Sequence, residues 1–186
     1  MELSRTAYLI LGMIRLGRRT GYEIKQFVEV STRFFWGASY GQIYPELARL
    51  EELGLIEGET DAGDGRRRRA YSLTSDGEEA LHDWLVADEL PHPELRHEGF
   101  LKLFFSDALS PAEQLDQVRR LRREHERVAE QLRAIEPGAR AGGERRGTRF
   151  PYLTLEWGIA YQDFQVEWCE RAERRLLEDL EIVAGG

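Results

Sequence analysis

Residues 39–74 constrain the fold of this chain more than any other stretch. Ile43, Leu47 and Leu50 recur at steps of four and three, one apolar stripe of a helix expected over 39–53, and Gly54 supplies its stop. Leu55-Ile-Glu-Gly-Glu-Thr60 follows, then a turn rich in Asp and Gly at 61–65, then 66–74, where Tyr71 and Leu73 alternate with smaller or polar neighbours. Two short strand-like runs around a flexible tip are a β-hairpin.

The residues upstream set the context of that helix. Ala7, Leu11 and Ile14 lie on one helical face over 4–15, with Ser4 as cap. Thr20-Gly-Tyr-Glu23 has the form of a capping box, and Ile24, Phe27 and Val28 mark the buried side of the helix it opens. Tyr40 projects toward the apolar side of the third helix, so packing is at least as much expected of it as a contact to DNA. Three short helices and then a hairpin is the order of a winged helix-turn-helix, expected over 1–88.

The second half is helical. Ser75-Asp-Gly-Glu78 reads as a further capping box, leading into Leu81, Trp84 and Leu85, and Pro91 and Pro93 then separate two functional halves. A short helix is expected over 94–105. Ser110-Pro-Ala-Glu113 combines a cap, a proline at the first helical position and a glutamate at the third. The helix it opens carries Val118, Leu121, His125, Val128, Leu132 and Ile135 at alternating steps of three and four, a seam resembling a coiled coil, with His125 as a polar register-setting residue. This seam and the last helix are expected to bury apolar surface between two chains. Residues 136–147 (EPGARAGGERRG) read as a flexible loop, and 153–183 as one long helix. The expected fold is therefore mainly α with a small β-hairpin: an N-terminal winged helix-turn-helix and, over 94–186, a C-terminal helical dimerisation domain.

Charge is unevenly placed. The net charge is −8 over 186 residues, yet residues 1–75 carry 11 basic and 10 acidic side chains against 15 and 24 in the remainder. The acidic excess lies outside the N-terminal segment, so a locally basic DNA surface is compatible with an acidic protein. With only Lys25 and Lys102 as lysines and no asparagine, the abundance of arginine reflects a genomic bias; its clustering still counts. Hydrophobic content of 41% with 32% charged residues fits an ordinary soluble protein. No apolar run is long enough to span a membrane and no basic leader is evident. The single cysteine, Cys169, fits a reducing cytoplasm.

On the face opposite Ile43, Leu47 and Leu50 the third helix carries Gly41, Pro45 and Ala48, flanked by Gln42 and Arg49 on one side and Tyr44 on the other. Small residues along such a ridge permit close approach to a major groove, and longer polar chains beside it reach the walls. Gln can contact adenine and Arg guanine or phosphate. Gln42 has a competing role, because Ser39-x-x-Gln42 is itself a capping box. Pro45 costs a backbone hydrogen bond, ~3 kcal/mol in a helix interior, which hints at selection for surface shape. The consecutive Arg66, Arg67, Arg68 and Arg69 point alternately to the two faces of a strand, so two of the four would meet one phosphate backbone. Protection of a solvated edge is the alternative.

The stretch from Ser39 to Ile56 (SYGQIYPELARLEELGLI) resembles the recognition helix and following strand of the PadR-like transcriptional regulators. Gly21-Tyr22-Glu23-Ile24 and Arg69-Ala-Tyr-Ser-Leu-Thr-Ser-Asp-Gly77 carry the same resemblance, and Leu153-Thr-Leu-Glu-Trp-Gly-Ile-Ala160 with Trp168-Cys-Glu extends it to the helical region of the longer members. It implies a homodimeric regulator binding a palindromic operator in double-stranded DNA, commonly a repressor relieved by a small molecule. It also implies DNA contacts at Tyr22, Ser39, Gln42, Tyr44 and the wing arginines. Trp157, Tyr161, Phe164 and Trp168 follow one another at steps of four, three and four on the last helix. Core packing is the simpler account of that stripe; the bolder one makes it the wall of an aromatic effector pocket between the DNA-binding and dimerisation parts.

Other classes fit less well. His92 and His97 with Glu94 and Glu98 lack a Cys or His cluster to complete a metal site, and Cys169 has no partner base, so neither catalysis nor a cofactor is expected. A winged-helix module that binds protein instead of DNA would not need the arginine run. A MarR-like arrangement would place dimerising helices at both ends of the winged domain.

Overall fold

A computed structural model describes residues 3–61, 68–88 and 96–184. The chain divides into Met1–His92 and Pro93–Gly186.

In the first unit α1 (Arg5–Arg15), α2 (Gly21–Val30) and α3 (Tyr40–Glu52) precede an antiparallel hairpin of β1 (Ile56–Asp61) and β2 (Arg68–Leu73), and α4 (Ser75–Val86) closes it. The amide of Ala7 donates to the Ser4 hydroxyl at 3.0 Å, which starts α1. At α2 the Thr20 hydroxyl accepts from the Glu23 amide at 3.1 Å, and the Glu23 carboxylate accepts from the Thr20 amide at 3.0 Å, closing the expected box. The hairpin register runs from Ile56 opposite Leu73 to Asp61 opposite Arg68. Arg19, between α1 and α2, adds to β2: its carbonyl accepts from the Tyr71 amide at 2.7 Å and its guanidinium donates to the Tyr71 carbonyl at 3.3 Å.

One apolar core joins these elements. Ala7, Ile10, Leu11, Ile24, Val28, Ile43, Leu47 and Leu50 are wholly buried, and Ile56, Tyr71 and Leu81 pack with them. Three readings of the sequence change here. The cap of α4 is Thr74, one residue before the expected Ser75; its hydroxyl accepts from Gly77 and donates to the Gly54 carbonyl at 2.7 Å, anchoring the helix to the end of α3. Gly77 lies so close to the Leu55 carbonyl that a Cβ there would collide with it. Leu85 is exposed at the end of α4, whereas Trp84 stacks on Tyr8 with centroids 4.7 Å apart. Tyr40, which the helix projection turned toward the apolar side, is exposed, because it occupies the first turn of α3 before the apolar stripe begins.

The second unit contains α5 (Glu98–Phe104), α6 (Pro111–Arg146) and α7 (Phe150–Ala184). His97 caps α5 by accepting the Phe100 amide at 3.3 Å on Nδ1. Glu113 turns back to the Ser110 amide at 2.9 Å, as the sequence led one to expect. Arg119 with Glu173, His125 with Gln162 and Glu136 with Tyr152 pair in descending order along α7, so α6 and α7 form an antiparallel hairpin.

The loop expected over 136–147 is instead the last part of α6. Pro137 removes one backbone donor, a local cost that the neighbouring turns of a long helix absorb, and α7 packs alongside. Two of the four glycines of 136–147, Gly143 and Gly147, have a positional reason. A Cβ on Gly143 would meet the Thr148 carbonyl oxygen at 2.7 Å, and Gly147 ends the helix in the left-handed region with φ 65°. The Glu136 carboxylate accepts from the Tyr152 hydroxyl at 3.0 Å, tying this segment to α7.

The seam of α6 is likewise reassigned. Leu115, Val118, Leu121, His125, Ala129 and Leu132 are its buried positions, Ala129 replacing the expected Val128, and they are occupied within one chain by α7. His125 is 4% exposed and its Nδ1 lies 2.7 Å from Gln162 Oε1, so its polar partner is intramolecular.

Candidate nucleic-acid interface

The exposed side of α3 is built as a shallow ridge. Gly41, Pro45 and Ala48 are all exposed and carry nothing longer than a proline ring. Pro45 has no amide hydrogen, so the Gly41 carbonyl four residues earlier lacks its helical donor. Beside the ridge Tyr44 is 51% exposed, and its ring lies across the start of α2. A Cβ on Gly21 would meet that ring at 2.8 Å, so glycine at the first position of α2 is what lets the two helices approach there. The next residue, Tyr22, is 57% exposed. Two tyrosines from different helices thus stand on either side of one close contact. Tyr40 stacks on Tyr44 at 6.0 Å, and Lys25 reaches from α2 to the Ala38 carbonyl at 3.1 Å, holding the chain that leads into α3.

The long polar side chains are less free than the helix projection implies. Gln42 Oε1 accepts from the Ser39 amide at 2.9 Å and from the Ser39 hydroxyl at 3.1 Å, so its amide is engaged at the helix start. Arg49 donates to Glu46 at 3.0 Å, and Glu46 also accepts the Ser4 hydroxyl at 2.7 Å. Ser39, Tyr22, Gln42, Tyr44 and Arg49 nevertheless all belong to the α2–α3 pair and remain at least partly exposed.

In the hairpin, Arg66 and Arg67 lie outside the described residues, as does the side chain of Arg68. Arg69 is turned back onto α3, where its guanidinium pairs with Glu51. The same Glu51 oxygen accepts the Gly58 amide of β1 at 3.1 Å. Hydrogen bonding to Glu51 first, and then its charge, raises the pKa of Arg69. Burial, and then the charge of Glu51, pushes the Tyr71 phenol above its ordinary value. Neither Glu51 nor Gly58 stands out in the sequence, since a glutamate late in a helix and a glycine early in a strand are unremarkable locally.

On α7 the four aromatic residues part company. Trp157 and Phe164 are 57% and 54% exposed, while Tyr161 is half-buried and stacks on Trp157 at 5.6 Å. Trp168 meets the edge of Phe100 at 5.6 Å beside the Val118, Leu121 and Cys169 core. The buried seam is displaced by one residue, to Gly158, Gln162, Gln165 and Cys169, at the same steps of four, three and four. Gln162 and Gln165 were missed because amides at seam positions resemble a solvated face. Burial raises the Cys169 thiol to about 11, which leaves it an inert core group at neutral pH.

Three short helices, a hairpin and an exposed small-residue ridge define a winged helix-turn-helix, here followed by a helical hairpin. Comparison with known proteins agrees. The Transcriptional regulator PadR-like family matches residues 10–83, and the Virulence activator alpha C-term family matches residues 95–176. The Negative transcriptional regulator PadR of Bacillus subtilis (strain 168) is 31% identical over 169 residues, 88% of this chain and 92% of that protein. Bacillus subtilis PadR in complex with operator DNA has a TM-score of 0.78 at 27% identity, covering 91% of this chain and 98% of that one. The same protein in complex with p-coumaric acid has a TM-score of 0.72 at 26% identity, covering 92% and 99%. This chain belongs to the PadR-like family of transcriptional regulators. Among the described residues, no helix is long and apolar enough to cross a membrane.

Proposed function

We propose that this regulator is a cytoplasmic homodimer that represses transcription from a palindromic operator and releases DNA when a small aromatic ligand binds. The exposed ridge of α3, with Tyr44 and Tyr22 beside it, carries the reading, because its small side chains let a helix backbone enter a major groove. Tyr22, Ser39 and Tyr44 bind phosphate or sugar near the groove entrance. Arg49 reads a base or phosphate after leaving Glu46, and Gln42 acts first as the cap of α3. Arg66, Arg67 and Arg68 supply sequence-independent phosphate contacts. The relatives support the partners by what they bind, operator DNA in one case and p-coumaric acid in the other. The ligand wall is the stacked Trp157 and Tyr161 with Phe164; Trp168 serves the core. No catalytic role and no cofactor are assigned.

Selection of bound fragments from random DNA tests the reading. The expected product is an inverted repeat with half-sites about one helical turn, ~34 Å, apart. Recovery of no common motif would overturn operator binding. Titration with p-coumaric acid, followed by tryptophan fluorescence and by operator release, tests the ligand, and Trp157→Ala is expected to lose both responses. The match of residues 95–176 to a family named for a virulence activator favours activation as the second reading. A promoter fusion that falls silent when the gene is deleted would establish it.

A further inference from the structure

We infer that Arg69 is not a DNA contact but half of a latch, with Glu51, that sets the angle of the hairpin against α3. The inference rests on the DNA-binding reading above and changes what one of its residues does. The carboxylate of Glu51, near the end of α3, receives both strands of the hairpin: the Gly58 amide of β1 at 3.1 Å and the Arg69 guanidinium of β2. The Gly58 amide serves the outer edge of β1, where among the described residues no third strand offers an acceptor. Gly58 also keeps the space for the pair, since a Cβ there would meet Glu51 Oε1 at 2.8 Å and run into Arg69. The Glu51 side chain is only 28% exposed, so the carboxylate is partly shielded from water and salt, while Arg69 is 50% exposed.

A two-stranded hairpin alone is marginally stable and flexes about its base. Fixing both strands to one carboxylate on the recognition helix couples the position of α3 in the groove to that of the hairpin. The latch therefore acts on affinity by positioning, without adding a phosphate contact of its own.

Electrostatics alone predicts the opposite sign for one partner, which makes the inference testable. Removing a carboxylate beside DNA strengthens binding through the general field, whereas removing a latch weakens it. The full-length protein carrying Glu51→Met, Arg69→Met or both is compared with wild type by hydrogen exchange without DNA, and by operator affinity across a salt series. In Glu51→Met, the Gly58 amide is expected to exchange about tenfold faster or more, having lost a charge-assisted bond. Operator affinity is expected to fall in both single variants, with the slope against salt unchanged and the double variant no worse than Glu51→Met. Tighter binding by Glu51→Met, with a slope flattened by ~1.8 per dimer in Arg69→Met, would show that Arg69 binds phosphate, and would overturn the latch. The exchange measurement keeps the two readings apart. Unchanged protection of Gly58 in Glu51→Met overturns the latch even if DNA is bound, and wild-type protein that binds no DNA refutes the functional reading while the exchange result stands.

Discussion

The two units of this chain hold themselves together by different means. The first has an apolar centre in which Ile10, Leu11, Ile24, Ile43, Leu47 and Leu50 are wholly buried, supplied by three helices and closed by the hairpin. The second joins two long helices through a thinner apolar seam, with Val118, Leu121, Leu132 and Cys169 buried, and sets polar pairs along it. Glu173 accepts from Arg119 at 2.6 Å and from Arg122 at 2.8 Å, His125 meets Gln162, and Arg133 meets Asp163. It leaves Phe104, Phe105, Phe150, Leu153, Trp157 and Phe164 exposed. The first unit also exposes Phe35, Trp36, Tyr44 and Leu85, but its apolar core is closed within one chain. The aromatic side chains that the second unit displays offer apolar surface to another molecule, which fits the proposed homodimer.

The largest effect that would test this contrast is expected at Gly77. Replacement by Ala drives a methyl group into the Leu55 carbonyl, which belongs to the strand entry and cannot yield without moving the hairpin. A loss of ~3 kcal/mol or more is expected in denaturant unfolding, with the first unit melting separately. An unchanged midpoint would mean that α4 is not packed this closely. Next in size is the dimer itself. Trp157→Glu with Phe164→Glu places two charges per chain on the exposed face of α7, and sedimentation is expected to show monomers while the first unit keeps its stability. Dimers that survive the change would move the interface to another face.

A smaller effect is expected from acid. Burial, and then the charge of His125, lowers the pKa of His97, whose neutral Nδ1 caps α5. A histidine depressed on folding contributes its stability above the unfolded value and loses it as pH falls through that value, 6.5. The melting temperature of the second unit is thus expected to fall below pH 6.5, the first unit changing less. His97→Asn, which retains a capping oxygen, should flatten that dependence. The smallest change concerns Gly138, which has nothing within 4 Å of a Cβ position and lies inside α6. Its replacement by Ala is expected to stabilise the second unit by ~0.5–1 kcal/mol, an effect that a mobile segment at 136–147 would not show.

What the sequence by itself determined is local. The caps at Ser4, Thr20 and Ser110, the apolar periods of α1 to α3 and the hairpin after Gly54 depend on residues within a few positions of one another, so spacing alone reveals them. The ridge of Gly41, Pro45 and Ala48 was legible for the same reason. The period of α6 was legible too, but not its partner. A seam of Val118, Leu121, His125 and Leu132 is equally suited to a second chain and to α7, and only the turn at Gly147, which returns the chain antiparallel, decided between them. The glycines of 136–147 look permissive in isolation, and it took the Thr148 carbonyl beside Gly143 to show one of them as a close approach within a helix. Long-range pairs lay furthest from view. Arg69 has a choice between solvent, phosphate and carboxylate that no local pattern resolves, and only the tertiary structure shows Glu51, 18 residues away, beside it, because the hairpin folds back to place the two charges side by side. Gln162 and Gln165 read as surface until α6 covers them, since an amide is buried at low cost only where the tertiary fold brings it a partner, as His125 does for Gln162.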